Sequence, residues 1–452
     1  MVINMDTTVI QLPEKVKYII NRIMEAGYEA YAVGGCIRDS LLERIPEDWD
    51  ITTSASPNEI KNIFKCTIDT GIKHGTVTVM LEREGFEVTT YRIDGEYEDG
   101  RHPREVTFTS NLMEDLKRRD FTINAMAYNE QQGLVDAFGG IQDMRRKVIR
   151  CVGSPIERFS EDALRMMRAV RFSAQLGYEI EKETKEAIST LAGDLKKISA
   201  ERIQTELVKL LLSPHPDYLQ IAYETGITAV IMPEFDVCMK TQQHNPHHCY
   251  TVGRHTLESM KAIAPEKSLR LAMLFHDMGK PDCSTTDEEG IDHFYGHPGV
   301  SEKIAGDILH RLKFDNDTTY LVKKLVKYHD YDIYPKPQSI RKALANMGEE
   351  VFPLLLEIKE ADVMAQSDYL REEKLRNLKE LRQVYQQILE QKQCVSLKTL
   401  AVDGKDLMTY VGMQPGRELG EMLKTLLELV IEDPECNNRE YLLTTAGELL
   451  KK

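Results

Sequence analysis

The sequence predicts an α+β fold, on three observations. Strand-like alternation is confined to the first 140 residues, helical periodicity governs nearly all that follows, and glycine and carboxylate motifs mark strand–helix junctions inside that first part. An amphipathic helix from about Val16 to Ala26 opens the chain. "YEAYAV" then reads as a strand, "RDSLLER" as a helix and "WDITT" as a second strand. "GTVTVML" and "FEVTTYR", split by the turn-like "EREG", alternate as half-buried antiparallel strands do, so the head has a small mixed or antiparallel sheet. From about Gln142 onward, "EDALRMMRAVRFSAQLG" and "AERIQTELVKLLL" carry long helical periods. Softer boundaries fall near 231–246, where "MPEFDVCMKTQQHNPHHCY" is irregular, and near Val395. The expected divisions are therefore 1–140, 141–225, 226–394 and 395–452.

Composition narrows the class. The 452 residues are 42% hydrophobic and 29% charged, as in globular proteins, and no run of eighteen apolar residues offers a membrane span. The N-terminus mixes acid and base with its apolar residues, unlike a signal peptide. Eight scattered cysteines without a C-x-x-C pair argue for a reducing, cytoplasmic compartment. A net charge of -15 counts against indiscriminate coating of nucleic acid. Between Ile141 and Leu210, however, 14 Lys and Arg stand against 11 Asp and Glu, so a nucleic-acid footprint is expected there.

In "GGCIRDSLLERIPEDWDITTS", Asp48 and Asp50 lie two apart on an expected strand, which puts both carboxylates on one face with Trp49 and Ile51 toward the core. Hard oxygens at that spacing suit Mg²⁺, which keeps other positions for water and substrate phosphate. Gly34 and Gly35, between strand and helix, allow close approach of phosphate to backbone, and Arg38 one turn in is placed to pair with a triphosphate. Glu87 is a candidate third carboxylate. D-x-D is common and G-G also marks ordinary turns, but the two in this order are a more specific signal. "GGCIRD" followed by "DWDI" resembles the head of the nucleotidyltransferase family containing the tRNA CCA-adding enzymes and bacterial poly(A) polymerases.

That resemblance extends further. "RRDFTINAMAY" is similar to the family's second motif, which implies that Arg119 contacts nucleotide phosphates while Asp120 and Asn124 approach the ribose. "TYRIDGEYEDGRHPREVTF" is similar to the flexible loop of enzymes that add the terminal adenosine, and its composition suits a mobile lid. In "EDALRMMRAVRF", Asp162, Arg165 and Arg168 lie three apart on an expected helix, with Arg171 one turn on. A salt-bridged surface helix has the same spacing. The face also fits cytosine and adenine, each of which offers an amine to Asp and a ring acceptor to Arg, whereas uracil and guanine reverse both polarities. The family assigns these positions to nucleotide selection.

Downstream, "GRHTLESM", "LFHDMGK", "GHPGVSEKIA", "VKYHDY" and "KEADVMAQSD" resemble the HD phosphohydrolase signature. His255, His276, Asp277 and Asp362 form the expected minimal set for a transition metal, and His297 and His329 would extend it to two ions. His244, His247 and His248 read as loop residues. Gly412 and Gly416, flanking Pro415, could bring amides to an RNA phosphate, although a helix–turn–helix packing unit fits them equally. The resemblance, spanning head, neck, HD body and tail, implies CCA addition to tRNA from CTP and ATP with release of pyrophosphate. Its rivals are a poly(A) polymerase, a CC- or A-specific relative, and an HD phosphohydrolase whose head only binds RNA. Oligomeric state is not legible.

Overall fold

The computed structural model describes residues 9–95 and 106–451. The chain forms two compact units, Met1–Pro233 and Glu234–Lys452, and the division falls within the irregular stretch at 231–246. In the N-terminal unit, α1 (Glu14–Glu25) turns Val16, Ile19, Ile20 and Ile23 inward, three and four apart on one helix face. Then come β1 (Ala30–Val33), α2 (Gly35–Leu41), β2 (Ile51–Thr53), α3 (Pro57–Ile63), β3 (Thr67–Gly71), β4 (Thr76–Leu81) and β5 (Glu84–Thr90). A separate antiparallel pair, β6 (Arg92–Asp94) and β7 (Val106–Phe108), forms the base of the expected lid, whose remainder at 96–105 lies outside the described residues. After α4 (Leu112–Lys117), β8 (Ala127–Asn129) and β9 (Gly133–Val135) complete a seven-stranded sheet in the order β3-β4-β5-β2-β1-β8-β9.

The sheet is mixed, as expected: β2 and β5 run parallel, and the other neighbours are antiparallel. Val77 and Val79 of β4 are buried alternately and sit beside Val88 and Phe86 of β5. One expectation is corrected here. β2 begins only at Ile51, so Asp48 and Asp50 precede the strand, and Trp49 is half-buried instead of being a core residue. The connection after α2 keeps Ile45 exposed and the chain off the sheet until the Asp50 carbonyl accepts the Val33 N–H at 3.0 Å.

Apart from a short parallel pair, Val148–Ile149 with Glu179–Ile180, the rest of this unit is mainly helical: α5 (Gly140–Arg146), α6 (Pro155–Glu161), α7 (Leu164–Leu176), α8 (Lys182–Leu191), α9 (Ala200–Leu211), α10 (Leu219–Glu224) and α11 (Ile227–Ile231). A second correction concerns "EDALRMMRAVRF". α6 stops at Glu161, Asp162 is extended (φ -143°, ψ 103°) and α7 starts at Leu164, so Asp162 does not share a helical face with Arg165 and Arg168. The cause is local. The Asp162 carboxylate accepts from the Leu164 N–H at 3.1 Å and its carbonyl from the Arg165 N–H at 3.0 Å, bonds that start a new helix instead of extending the old one.

The C-terminal unit has one short antiparallel pair, Thr285–Thr286 with Asp292–His293, and the helices α12 (Pro233–Lys240), α13 (Val252–Ala262), α14 (Lys267–Phe275), α15 (Lys280–Cys283), α16 (His297–Arg311), α17 (Asn316–Tyr328), α18 (Pro337–Met347), α19 (Phe352–Ala365), α20 (Arg371–Glu390), α21 (Gly404–Asp406), α22 (Arg417–Glu432) and α23 (Arg439–Leu449). The irregular stretch thus contains a helix, α12, before its loop. Apolar throughout from Leu271 to Phe275, α14 is buried and packs on α13, α16, α17 and α19. Leu407, Leu426, Val430, Leu442 and Ala446 form a core of their own near the C-terminus. Arg341 of α18 donates to the Ile431 and Glu432 carbonyls at 2.8 and 3.1 Å, satisfying the end of α22. No helix among the described residues is long and apolar enough to cross a membrane.

Candidate active site and candidate metal centre

β1 ends in a turn that only glycine fits. Gly34 has φ +87°, and a Cβ there would lie 2.9 Å from an Arg119 guanidinium nitrogen. The close approach lets Arg119, at the end of α4, reach the carboxylates. Ile51 stands opposite Val88, so Glu87 lies beside Asp50 on the parallel neighbour. Asp50 keeps an exposed edge, yet the protein behind it withdraws hydration and raises its pKa; Arg119 opposes the rise, and the Asp48 and Glu87 carboxylates add to it. Burial in turn lowers the pKa of Arg119, against the pull of Asp115 and Asp50. Crowded, accessible carboxylate oxygens are a donor set that a hard divalent cation fits. Among the described residues, Asp48, Asp50 and Glu87 do not close within 4.8 Å as a trio.

Arg38 is not free to reach outward. Its guanidinium is buried, held by Asp39 at 2.8 and 2.9 Å, and donates to the Asn124 side-chain carbonyl at 2.7 Å. The Asn124 amide donates to Asp120 Oδ1 at 3.2 Å, while Arg168 donates twice to Asp120 Oδ2, at 2.8 and 2.6 Å. Burial alone would raise the Asp120 pKa, but Arg168 and its hydrogen bonds bring it to about 2. Arg171 pairs with Glu206 at 2.5 Å. The Phe172 ring gathers three guanidiniums, with Arg171, Arg38 and Arg168 at 3.9, 5.0 and 5.4 Å from its centroid. Asp162 and Arg165 face other partners: Asp162 holds Arg202 at 2.7 Å, and Arg165 holds Glu161 at 2.6 Å and the Arg118 carbonyl at 3.2 Å. A base would have to exchange with these groups.

The C-terminal unit brings all six downstream candidates together. His255 projects from α13, His276 and Asp277 follow α14, His297 opens α16, His329 ends α17, and Asp362 lies on α19. The Nδ1 atoms of His276, His297 and His329 face the carbonyls of Met273, Phe294 and Val326 at 2.7–2.8 Å. With each Nδ1–H donated outward, the Nε2 lone pairs face inward. His255 and His276 Nε2 lie 3.7 and 3.2 Å from Asp277 Oδ2, and His297 and His329 Nε2 lie 3.3 and 3.6 Å from Oδ1. Asp362 Oδ1 lies 2.8 Å from His255 Nε2. Two trios, His255–His276–Asp277 and Asp277–His297–His329, thus share one aspartate. Facing acceptors cannot satisfy one another, so the donor set fits metal ions.

Sequence reasoning missed three neighbours of this cluster. The His248 ring stands edge-on to His255 at 5.1 Å, and His247 Nδ1 lies 3.0 Å from Lys374 Nζ on α20. Both histidines are loop residues, as expected, but the loop is folded against the cluster. The density of histidine in "HNPHH" was the available signal. Gly412 has φ +79°, and Gly416 directly precedes α22.

Three family models match the chain: the Poly A polymerase head domain over 30–150, the "Probable RNA and SrmB- binding site of polymerase A" over 177–239, and tRNA nucleotidyltransferase domain 2 over 284–446. His255, His276 and Asp277 fall between the second and third. A Limosilactobacillus reuteri CCA-adding enzyme is 35% identical over 98% of this chain and 99% of its own. The Enterococcus faecalis CCA-adding enzyme is 36% identical over 95% and 94%. The solved Bacillus stearothermophilus CCA-adding enzyme, in complex with CTP, is 30% identical with a TM-score of 0.70 over 98% of both chains. The Thermotoga maritima CCA-adding enzyme, at 19% identity and a TM-score of 0.57 over 97% and 96%, shares the fold. With such similarity running the length of both chains, and with the sheet, glycine turn and carboxylates of the head in place, this protein belongs to the CCA-adding enzymes.

Proposed function

We propose that the N-terminal unit extends tRNA 3′ ends by C, C and A from CTP and ATP, releasing pyrophosphate. The observation that carries this reading is the approach of Arg119 to Asp50 across the Gly34 turn, in a chain of the CCA-adding family. Nucleotidyltransferases of this kind use a divalent metal. Asp48 and Asp50 would hold Mg²⁺, which when bound lowers the pKa of the attacking 3′-hydroxyl and neutralises triphosphate charge. Gly35 and Arg119 face the phosphates in this reading, and Arg38, Arg168 and Arg171, fixed about Phe172, orient the nucleotide. Asp162 accepts from the amine of C or A once it leaves Arg202, and Arg165 donates to the ring nitrogen once it leaves Glu161. The relative solved with CTP supports that substrate. The division into head (1–140), neck (141–225), HD body (226–394) and tRNA-gripping tail (395–452) belongs to the same proposal. The eight unpaired cysteines support a cytoplasmic site of action. Labelled-CTP transfer to tRNA transcripts lacking CCA tests the reading; nucleotide hydrolysis without transfer would overturn it.

A second activity is favoured by the four inward Nε2 atoms around Asp277. We infer a transition-metal phosphohydrolase centre built from His255, His276, Asp277 and Asp362, with His297 and His329 as a second set. A metal bound there would activate water for attack on a phosphoester. Metal analysis of the purified chain tests this directly; chain free of transition metal after loading and desalting would exclude it.

A further inference from the structure

Beside the histidine–aspartate cluster, the C-terminal unit holds cations that ligation of a metal would not use. Lys280 is buried, with Nζ 2.8 Å from Asp277 Oδ2 and 2.8 Å from the Gln243 side-chain carbonyl. Lys374, half-buried on α20, donates to Gln366 Oε1 at 2.5 Å and contacts His247 Nδ1 at 3.0 Å; neither contact is a carboxylate. The Gln366 amide spends its own donor on Asp362 Oδ2 at 2.9 Å. Lys374 is therefore held one residue away from a metal-ligating carboxylate and is offset only by neutral groups in its direct contacts.

Its placement is built. The turn joining α19 to α20 passes through Leu370 at φ +55°, a left-handed backbone state that leucine rarely adopts. Ser367 pins the histidine loop to this turn, its N–H donating to the His247 carbonyl at 2.9 Å and its hydroxyl to the Pro246 carbonyl at 2.6 Å. The His247 ring packs on Tyr369 at 4.9 Å. Among the cluster's acids and histidines, Asp362 is the exposed one, its side chain 25% accessible against 1–8% for the rest, and Gln366 links it to Lys374.

We propose that Lys374 and His247 form the phosphate-holding wall of this centre, selecting a terminal phosphomonoester dianion that enters past Asp362. The proposal rests on the phosphohydrolase reading above. An ammonium with no carboxylate in direct contact suits a dianion, which a terminal phosphomonoester carries and a singly charged internal diester does not.

The test uses the full-length chain loaded with Mn²⁺, with inorganic phosphate as the probe. Metal content is measured first, then phosphate affinity by calorimetry, then KM and kcat for p-nitrophenyl phosphate. Lys374→Met and His247→Ala should each retain metal and weaken phosphate binding tenfold or more, raising KM more than they lower kcat. Lys374→Arg should recover most of the affinity, which a purely structural role would not require. Wild type that holds Mn²⁺ but shows no phosphate binding overturns the wall alone. So do variants with unchanged phosphate affinity. Wild type that retains no metal overturns the phosphohydrolase reading, and the wall with it.

Discussion

Asp120 accepts two hydrogen bonds from Arg168 beside Phe172, and its titration gives a test. Its folded pKa, about 2 against the ordinary 3.8, means that folding favours the ionised form. The resulting stability, about 2 kcal/mol, is fully present above about pH 4 and is lost as pH falls toward 2. Asp120→Asn should therefore be destabilised at pH 7, with a urea-midpoint gap to wild type that narrows between pH 5 and pH 3. A gap independent of pH would contradict the Arg168–Asp120 pairing. In the proposed function, Asp162 is the residue given the selectivity. Asp162→Ala should lower CTP and ATP use while raising relative UTP incorporation roughly 5- to 150-fold, since one base-edge contact discriminates by about 1–3 kcal/mol. The C-to-U ratio of kcat/KM measures it, and an unchanged ratio would leave Asp162 as a helix starter paired to Arg202. The spacing of Asp162, Arg165 and Arg168 was legible in the sequence. The partners of Asp162 and Arg168 were not: Arg202 and Asp120 lie 40 and 48 residues away, and no local period encodes such ion pairs.

At the scale of elements, the turn from β1 to α2 is the most constrained. Gly34→Ala would place a methyl 2.9 Å from Arg119 in a backbone state that alanine disfavours, so Arg119 must move away from Asp50. Nucleotide transfer should fall tenfold or more while the fold persists; near-normal transfer would mean that Arg119 has no part in phosphate contact. The twin glycines announced a junction, but only the fold shows that Arg119, two residues past α4, fills the space beside them. Strand and helix types were mostly readable, because β4 and β5 alternate and α1 keeps a single apolar face. Boundaries failed where side chains compete with the backbone. Asp162 ended one helix to start another, and "WDITT" looked like strand two residues before pairing began. The loop at 244–248 was legible as a loop, yet its packing on Ser367 and Tyr369 joins positions more than 120 apart.

At the scale of the molecule, two chemistries are assigned to two units. His276→Ala combined with Asp277→Ala should abolish transition-metal retention and phosphoester hydrolysis, and CTP transfer by the same preparation reports on the N-terminal unit. Loss of both activities in a folded protein would show that the division of labour is drawn wrongly. The two-part layout was visible in the shift from alternation to helical periodicity, and the histidine–aspartate cluster in its resemblance to the HD signature. That α14 would be buried between the helices bearing the ligands could not be read, since its apolar run fits any core helix. The central claim is templateless addition of C, C and A. Sequencing the 3′ ends of tRNA transcripts lacking CCA, after incubation with the protein and all four nucleoside triphosphates, tests it most directly. Ends that stop at CCA, and that become unextended with Asp50→Ala, are the predicted result; adenosine tracts, uridine incorporation or unextended ends with the wild-type chain would contradict it.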